Sequence, residues 1–186
     1  MAKKNQKQNN NTKRPASRPR QAQKQNRNSE HVQQWMSITT KPKIMASQTN
    51  QHTTVEITET TVPDLASYNA KYHMMQIKSM SVRFKTGMIA TPGLHTCVAM
   101  PSLTPTTIPN PPRHIWAKHN GSVPKKTNQN CSSPSVPVPG SYLLSLAANT
   151  RYGYAVWIWE GPALTSDEAN LGELEVYLDV IYHGRK

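Results

Sequence analysis

GELEVYLDVIYH, residues 172–183, alternates strictly: Leu174, Val176, Leu178, Val180 and Tyr182 fall on one parity, and Glu173, Glu175, Tyr177, Asp179 and Ile181 on the other. A period of two is the side-chain repeat of a β-strand, because successive Cβ atoms point to opposite faces, whereas a helix would repeat every 3.6 residues. The stretch reads as a strand with one face in a core. Working back from it, YGYAVWIWE (152–160) and SYLLSLAAN (141–149) are apolar runs of strand length, and LHTCVAM (94–100) is a short strand behind the turn TPG. TTVEITETTV (53–62) again alternates, with Val55 and Ile57 against Glu56 and Thr58, and Pro63 and Asp64 close it.

HMMQIKSMSVRFK (73–85) is different. Apolar residues occur on both parities, Met75 and Ile77 on one and Met80, Val82 and Phe84 on the other. Such a pattern predicts a strand with a bulge, or one whose second face is covered. Residues 66–72 form a short helix or turn. Several strands, no long helix, and loops rich in Pro, Ser and Thr point to an all-β sandwich or barrel. No repeat of fixed period is present. Residues 101–140 are rich in proline and offer one short strand, at 114–118; a stretch of that length is expected to make functional loops at a rim or an interface.

At 186 residues the chain allows one domain of ordinary size and a tail. Its 22 Lys and Arg against 10 Asp and Glu give +12, and the excess is uneven. Lys3, Lys4, Lys7, Lys13, Arg14, Arg18, Arg20, Lys24 and Arg27 face Glu30 alone in the first 30 residues, so nine minus one places +8 there. Residues 1–34 have no aromatic residue, and eleven Asn or Gln lie between Asn5 and Asn28. This composition buries too little to offset ordering entropy, so the segment is expected to be disordered when free. The reading that fits is a mobile cationic arm. Residues 35–52 are read as a linker or inner arm, and 53–186 as the β domain.

The nine basic residues suit a polyanion, and single-stranded RNA above all. Each neutralised phosphate releases counterions with a salt slope of about 0.7, so nine contacts give a slope near ~6. Without an aromatic residue the arm has no base-stacking platform, which argues against sequence-specific readout. A second basic group, Lys71, Lys78, Arg83, Lys85, Arg113, Lys118, Lys125, Lys126 and Arg151, is either an inner wall or solvated surface. By contrast, residues 152–184 hold six carboxylates and no Lys or Arg, and so are expected to face away from RNA or toward basic neighbours. Tyr152, Tyr154, Trp157 and Trp159 are either an interface anchor or inter-sheet packing.

Catalytic motifs are absent. The seven histidines (His31, His52, His73, His95, His114, His119 and His183) show no metal-ligand spacing, and there is no phosphate loop or nucleophile elbow. Cys97 and Cys131 are read as reduced thiols, buried or half-buried, their spacing dictating no pairing. No apolar run reaches membrane-spanning length or follows the basic start as in a signal peptide, so folding in a reducing compartment is expected.

The plan of the whole chain resembles the coat proteins of small icosahedral plus-strand RNA plant viruses, the tombusvirus, sobemovirus and luteovirus-like group. YNAKYHMMQIKSMSVRF (68–84) is similar to that group's passage of two tyrosines followed by Ile, Ser, Val and Phe through the third shell strand. GELEVYLDVIY (172–182) resembles its final Gly-x-Leu-x-Val strand. The resemblance implies an eight-stranded jelly-roll shell domain behind a basic arm. It implies a capsid of 60 or 180 copies around viral single-stranded RNA, a place in the virion and, during assembly, the host cytoplasm. With the last strand ending near Lys186, it also implies a smooth shell lacking a protruding domain. The group's calcium-binding aspartates have no counterpart in CVAMPSLTP (97–105), which leaves Asp167 and Glu168 as the adjacent carboxylates for calcium between subunits; no other cofactor is implied. A second reading, a non-capsid single-stranded nucleic-acid-binding β-barrel (RNA chaperone, movement factor or silencing suppressor), predicts a monomer or small oligomer instead of a closed shell.

Overall fold

A computed structural model of the chain describes residues 29–87, 91–101, 121–138, 144–145, 150–168 and 171–186. In chain order its elements are β1 (Ser29–Ser37), β2 (Asn50–Ile57), α1 (Pro63–Asn69), β3 (Tyr72–Thr86), β4 (Leu94–Met100), β5 (Lys125–Lys126), β6 (Cys131–Ser132), β7 (Val136–Pro137), β8 (Leu144–Ser145), β9 (Gly153–Glu160) and β10 (Gly172–Arg185). They form two antiparallel sheets. One runs β1-β10-β3, with β6, β7 and β8 on the far side of β3; the other runs β2-β9-β4-β5. β6 meets β3 at residues 83–84, β7 at 79–80 and β8 at 74–75. The three short pieces thus occupy one strand position. Four positions in each sheet make the jelly-roll-like sandwich that the sequence resemblance implies.

β10 is the centre of the larger sheet and is paired along most of its length on both sides. Leu174, Val176, Leu178, Val180 and Tyr182 are fully buried, facing Phe84, Val82, Met80, Ile77 and Met75 across the ladder. The parity change in β3 has a simple cause. Asp179 pairs with Ser79 but Val180 pairs with Ile77, so Lys78 is an extra residue, bulged out and exposed. One skipped position carries Met75 and Ile77 to the same side as Met80, Val82 and Phe84, which keeps the whole strand's apolar set in the core.

In the smaller sheet, Ala155, Trp157 and Trp159 of β9 pack inward with Cys97 and Ala99 of β4 and Val55 and Ile57 of β2. The opposite parity, Tyr154, Val156 and Ile158, joins Val98 and Met100 in a second buried cluster. β9 is therefore buried on both faces, which explains a run of apolar residues in place of an alternation. Tyr152, Trp157 and Trp159 belong to the main core and Tyr154 to the second cluster, so these aromatic residues pack within the chain.

Other boundaries move. The strand expected over 53–62 begins at Asn50 and ends at Ile57, where Thr58 and Thr61 bond to each other's backbone and side chain. The helix starts at Pro63, a residue suited to a first helical turn because its missing N–H would lack a partner there anyway. The boundary drawn at residue 34 falls within β1, which begins at Ser29 and has Val32 and Met36 buried, and the boundary at 53 falls within β2. Residues 1–28 and the short strand expected at 114–118 lie outside the described residues, and of 141–149 only Leu144–Ser145 is described as strand. Gly172 has φ +155, and a Cβ there would collide with the Lys85 carbonyl, so the start of β10 requires glycine.

Truncating a fully buried member of the central ladder should be far more damaging than truncating an exposed one on the same strand. We expect Leu178→Ala to lower the unfolding free energy by about 3 kcal/mol and Glu173→Ala to change it by less than about 0.5 kcal/mol, read from urea titrations monitored by tryptophan fluorescence.

Candidate functional site

The nine cations of the proposed RNA-binding arm all precede Ser29 and so lie outside the described residues. What is described is where that segment is rooted. β1 is an edge strand, held by β10 on one side. Val32 and Met36 go into the core, and the other face carries His31, whose Nε2 lies 2.5 Å from Asp179 Oδ1, and Trp35. Trp35 is tilted against Tyr177 with ring centroids 5.4 Å apart, and the Arg83 guanidinium sits 4.0 Å from its ring centroid. At the strand's start the Tyr72 hydroxyl donates to the Glu30 carboxylate, and that bond, with burial, raises the Tyr72 pKa. The root is thus clamped on both faces before the chain runs into the basic segment.

Behind the root lies the most condensed charge cluster among the described residues. Glu175 is buried although it belongs to the outward parity of β10. It is paired with Arg83 through Nε and with Lys85 Nζ at 2.9 Å, both on β3. Burial pushes its pKa up, but the two cations outweigh burial and hold it below its ordinary value near 4.5. Arg83 is shared between this carboxylate and the Trp35 ring, so β1, β10 and β3 are tied together on the face away from the core.

The second basic group is thereby divided. Arg83 and Lys85 are taken by Glu175, Arg151 pairs with Glu56 at 2.6 Å, and Lys71 lies 5.7 Å from the Tyr68 ring centroid. Lys78, Lys125 and Lys126 are exposed, and Arg113 and Lys118 lie outside the described residues. The acidic last strand does face basic neighbours, but they stand on adjacent strands of the same chain. Sequence reasoning missed this triad. Arg83 and Lys85 share a parity, as a charged outward face should, but only the β3–β10 register sets Glu175 between them.

Asp167 and Glu168 are adjacent yet separately engaged. Asp167 Oδ1 accepts the Ala46 N–H at 2.8 Å, while Glu168 accepts the Thr91 hydroxyl and pairs through its backbone with Ile44. Among the described residues no three His, Cys, Asp or Glu side chains converge as a metal site would require. His95 is buried with both nitrogens used: Nδ1 accepts the Trp157 indole N–H at 3.3 Å, leaving Nε2 to donate to the Gln129 carbonyl at 2.7 Å. No helix among the described residues is long and apolar enough to cross a membrane.

The sign of the Glu175 shift fixes a pH dependence. A carboxylate whose folded pKa is lowered contributes stability that is present above its unfolded value and lost as pH falls through the folded one. We expect Glu175→Gln to destabilise the protein by about 2 kcal/mol at pH 7, because two cations lose their partner. Its difference from the unmodified protein should shrink as pH falls below about 4, in urea titrations repeated from pH 7 to pH 3.

No family model matches the sequence. The capsid protein of Mushroom bacilliform virus is 25% identical over 149 residues, covering 77% of this chain and 73% of that protein. Among solved structures, tobacco necrosis virus superposes with a TM-score of 0.66 at 9% identity, covering 86% of this chain and 97% of that one. The Macrobrachium rosenbergii nodavirus particle gives 0.64 at 10%, covering 85% and 94%, and cocksfoot mottle virus 0.61 at 9%, covering 84% and 97%. The likeness extends from plant viruses to a virus of a crustacean. The chain has the jelly-roll-like β-sandwich fold of viral capsid proteins.

Proposed function

We propose that this chain is a structural capsid protein that assembles into an icosahedral shell and packages single-stranded RNA through Lys3, Lys4, Lys7, Lys13, Arg14, Arg18, Arg20, Lys24 and Arg27. The observation that carries the reading is the division of charge: +9 of the +12 precedes a sandwich of capsid fold, and leads into it through one clamped edge strand. Capsid assembly needs a rigid unit that repeats, and confinement of RNA needs cations that follow an irregular backbone. The two demands fall on two parts of one chain. The partners are viral RNA and further copies of the chain, 60 or 180 in a closed shell, and the strand motifs favour a plant virus of the tombusvirus, sobemovirus and luteovirus-like group. The likeness to structural capsid proteins and the want of any catalytic motif both support a role other than catalysis.

The placement of β1 decides how the arm is to be tested. A deletion to residue 34 would remove Val32 and the Glu30 and His31 contacts along with the cations, confusing loss of RNA with loss of a strand. Deleting residues 1–28 removes all nine basic residues and leaves β1 whole. We expect that variant to keep its far-ultraviolet circular dichroism and to assemble with little or no RNA, seen as a fall in the 260 to 280 nm absorbance ratio of purified particles. RNA content equal to that of the full chain would refute the role given to these residues.

A further inference from the structure

The two thiols sit on different sheets yet touch. Cys97 lies in β4 of the smaller sheet, Cys131 in β6 of the larger one, and their sulfur atoms are 3.0 Å apart. Both are unbonded and buried. The bonded distance in a disulfide is about 2.05 Å, so the pair is short of a covalent bond by roughly 1 Å. Each cysteine's backbone is held. Around Cys97, Ser122 N donates to the Cys97 carbonyl at 2.9 Å and Cys97 N donates to Ser122 Oγ at 3.0 Å. Around Cys131, Thr86 N donates to Asn130 Oδ1 at 3.0 Å, and Ser133 exchanges bonds with Val82 through its N–H at 2.7 Å and its Oγ at 2.9 Å. The contact is therefore set by fixed strands and not by rotamers alone.

We propose that Cys97 and Cys131 are an oxidation site, converted by a small peroxide to a disulfide that staples the two sheets together. The reaction balances without another component. The Cys131 thiol gives up its proton to solvent, its thiolate attacks one peroxide oxygen and the O–O bond breaks, and the leaving hydroxide takes a proton back from solvent to become water, giving a sulfenic acid. Cys97 then attacks the Cys131 sulfur, the S–O bond breaks, and the Cys97 proton leaves with the hydroxyl as a second water. Two electrons pass from the sulfurs to the peroxide. Geometry assigns the order: β6 is a two-residue strand at the edge of its sheet, where local opening admits a small oxidant, whereas Cys97 is held in β4 between Trp157 of β9 and Ser122. The acidities agree, since the Cys97 thiol beside Cys131 draws the latter's pKa down while burial pushes Cys97 up. His95 also lies beside Cys131 and adds to the lowering of its pKa.

The site is independent of the proposed assembly, and its test needs only the folded full chain. After brief treatment with dilute hydrogen peroxide, free thiols are blocked with iodoacetamide and the protein is unfolded and digested with trypsin without reductant. We expect residues 86–113 joined to residues 127–151, and a melting temperature raised by roughly 5–10 °C that returns with dithiothreitol. In Cys97→Ser the first step has no second thiol to resolve it, so Cys131 should carry a dimedone adduct that the unmodified protein lacks. Recovery of both cysteines alkylated after peroxide, or of Cys131 as sulfinic acid without the joined peptide, would overturn the proposal. Should Cys97→Ser fail to fold, the peptide map of the unmodified chain decides alone.

Discussion

The β3–β10 ladder is the constraint on which the rest of the molecule depends. It is antiparallel, runs nearly the full length of both strands, and turns five alternating apolar residues of β10 against five of β3. Because the side-chain period is two, a slip of β10 by one residue would send its apolar set to solvent and bring Glu175 and Asp179 into the core. The bulge at Lys78 is what permits so long a strand to stay in step with an apolar pattern that changes parity. Everything else in the larger sheet is added to this pair: β1 on the free side of β10, and β6, β7 and β8 in succession on the free side of β3.

The same ladder governs the electrostatics. By fixing Glu175 opposite Arg83 and beside Lys85, it pairs those two cations of β3 within the sheet, and β1 adds the hydrogen bond between His31 and Asp179. The described sandwich thus neutralises much of its own charge. What remains in excess is concentrated ahead of β1. The proposed affinity for RNA and the stability of the sandwich would in this way be carried by different residues.

How much of this was legible follows from burial pattern. β10 and β2 were readable because one face is wet, and alternation survives in their sequences; β9 was readable as a strand, though not by alternation, because it is buried on both sides. The bulge in β3 was visible as a parity change, though its position at Lys78 was not. β1 escaped because an edge strand needs few apolar residues: only Val32 and Met36 face inward, amid Gln and a Trp that faces out. β6 and β7 are two residues each, below any period, and exist through pairing with β3. The Glu175 cluster and the sulfur contact join residues 90 and 34 apart in sequence, and only register and sheet packing bring them together.

The central claim is that this sandwich is a shell subunit, and direct imaging tests it best. Negative-stain electron microscopy of the purified full chain mixed with single-stranded RNA, across a range of pH and ionic strength, should show closed isometric particles of uniform diameter, with two-, three- and five-fold symmetry in averaged images. A species that stays monomeric or dimeric at high concentration under all those conditions, while still binding RNA, would contradict the account and leave a nucleic-acid-binding module of capsid fold in its place.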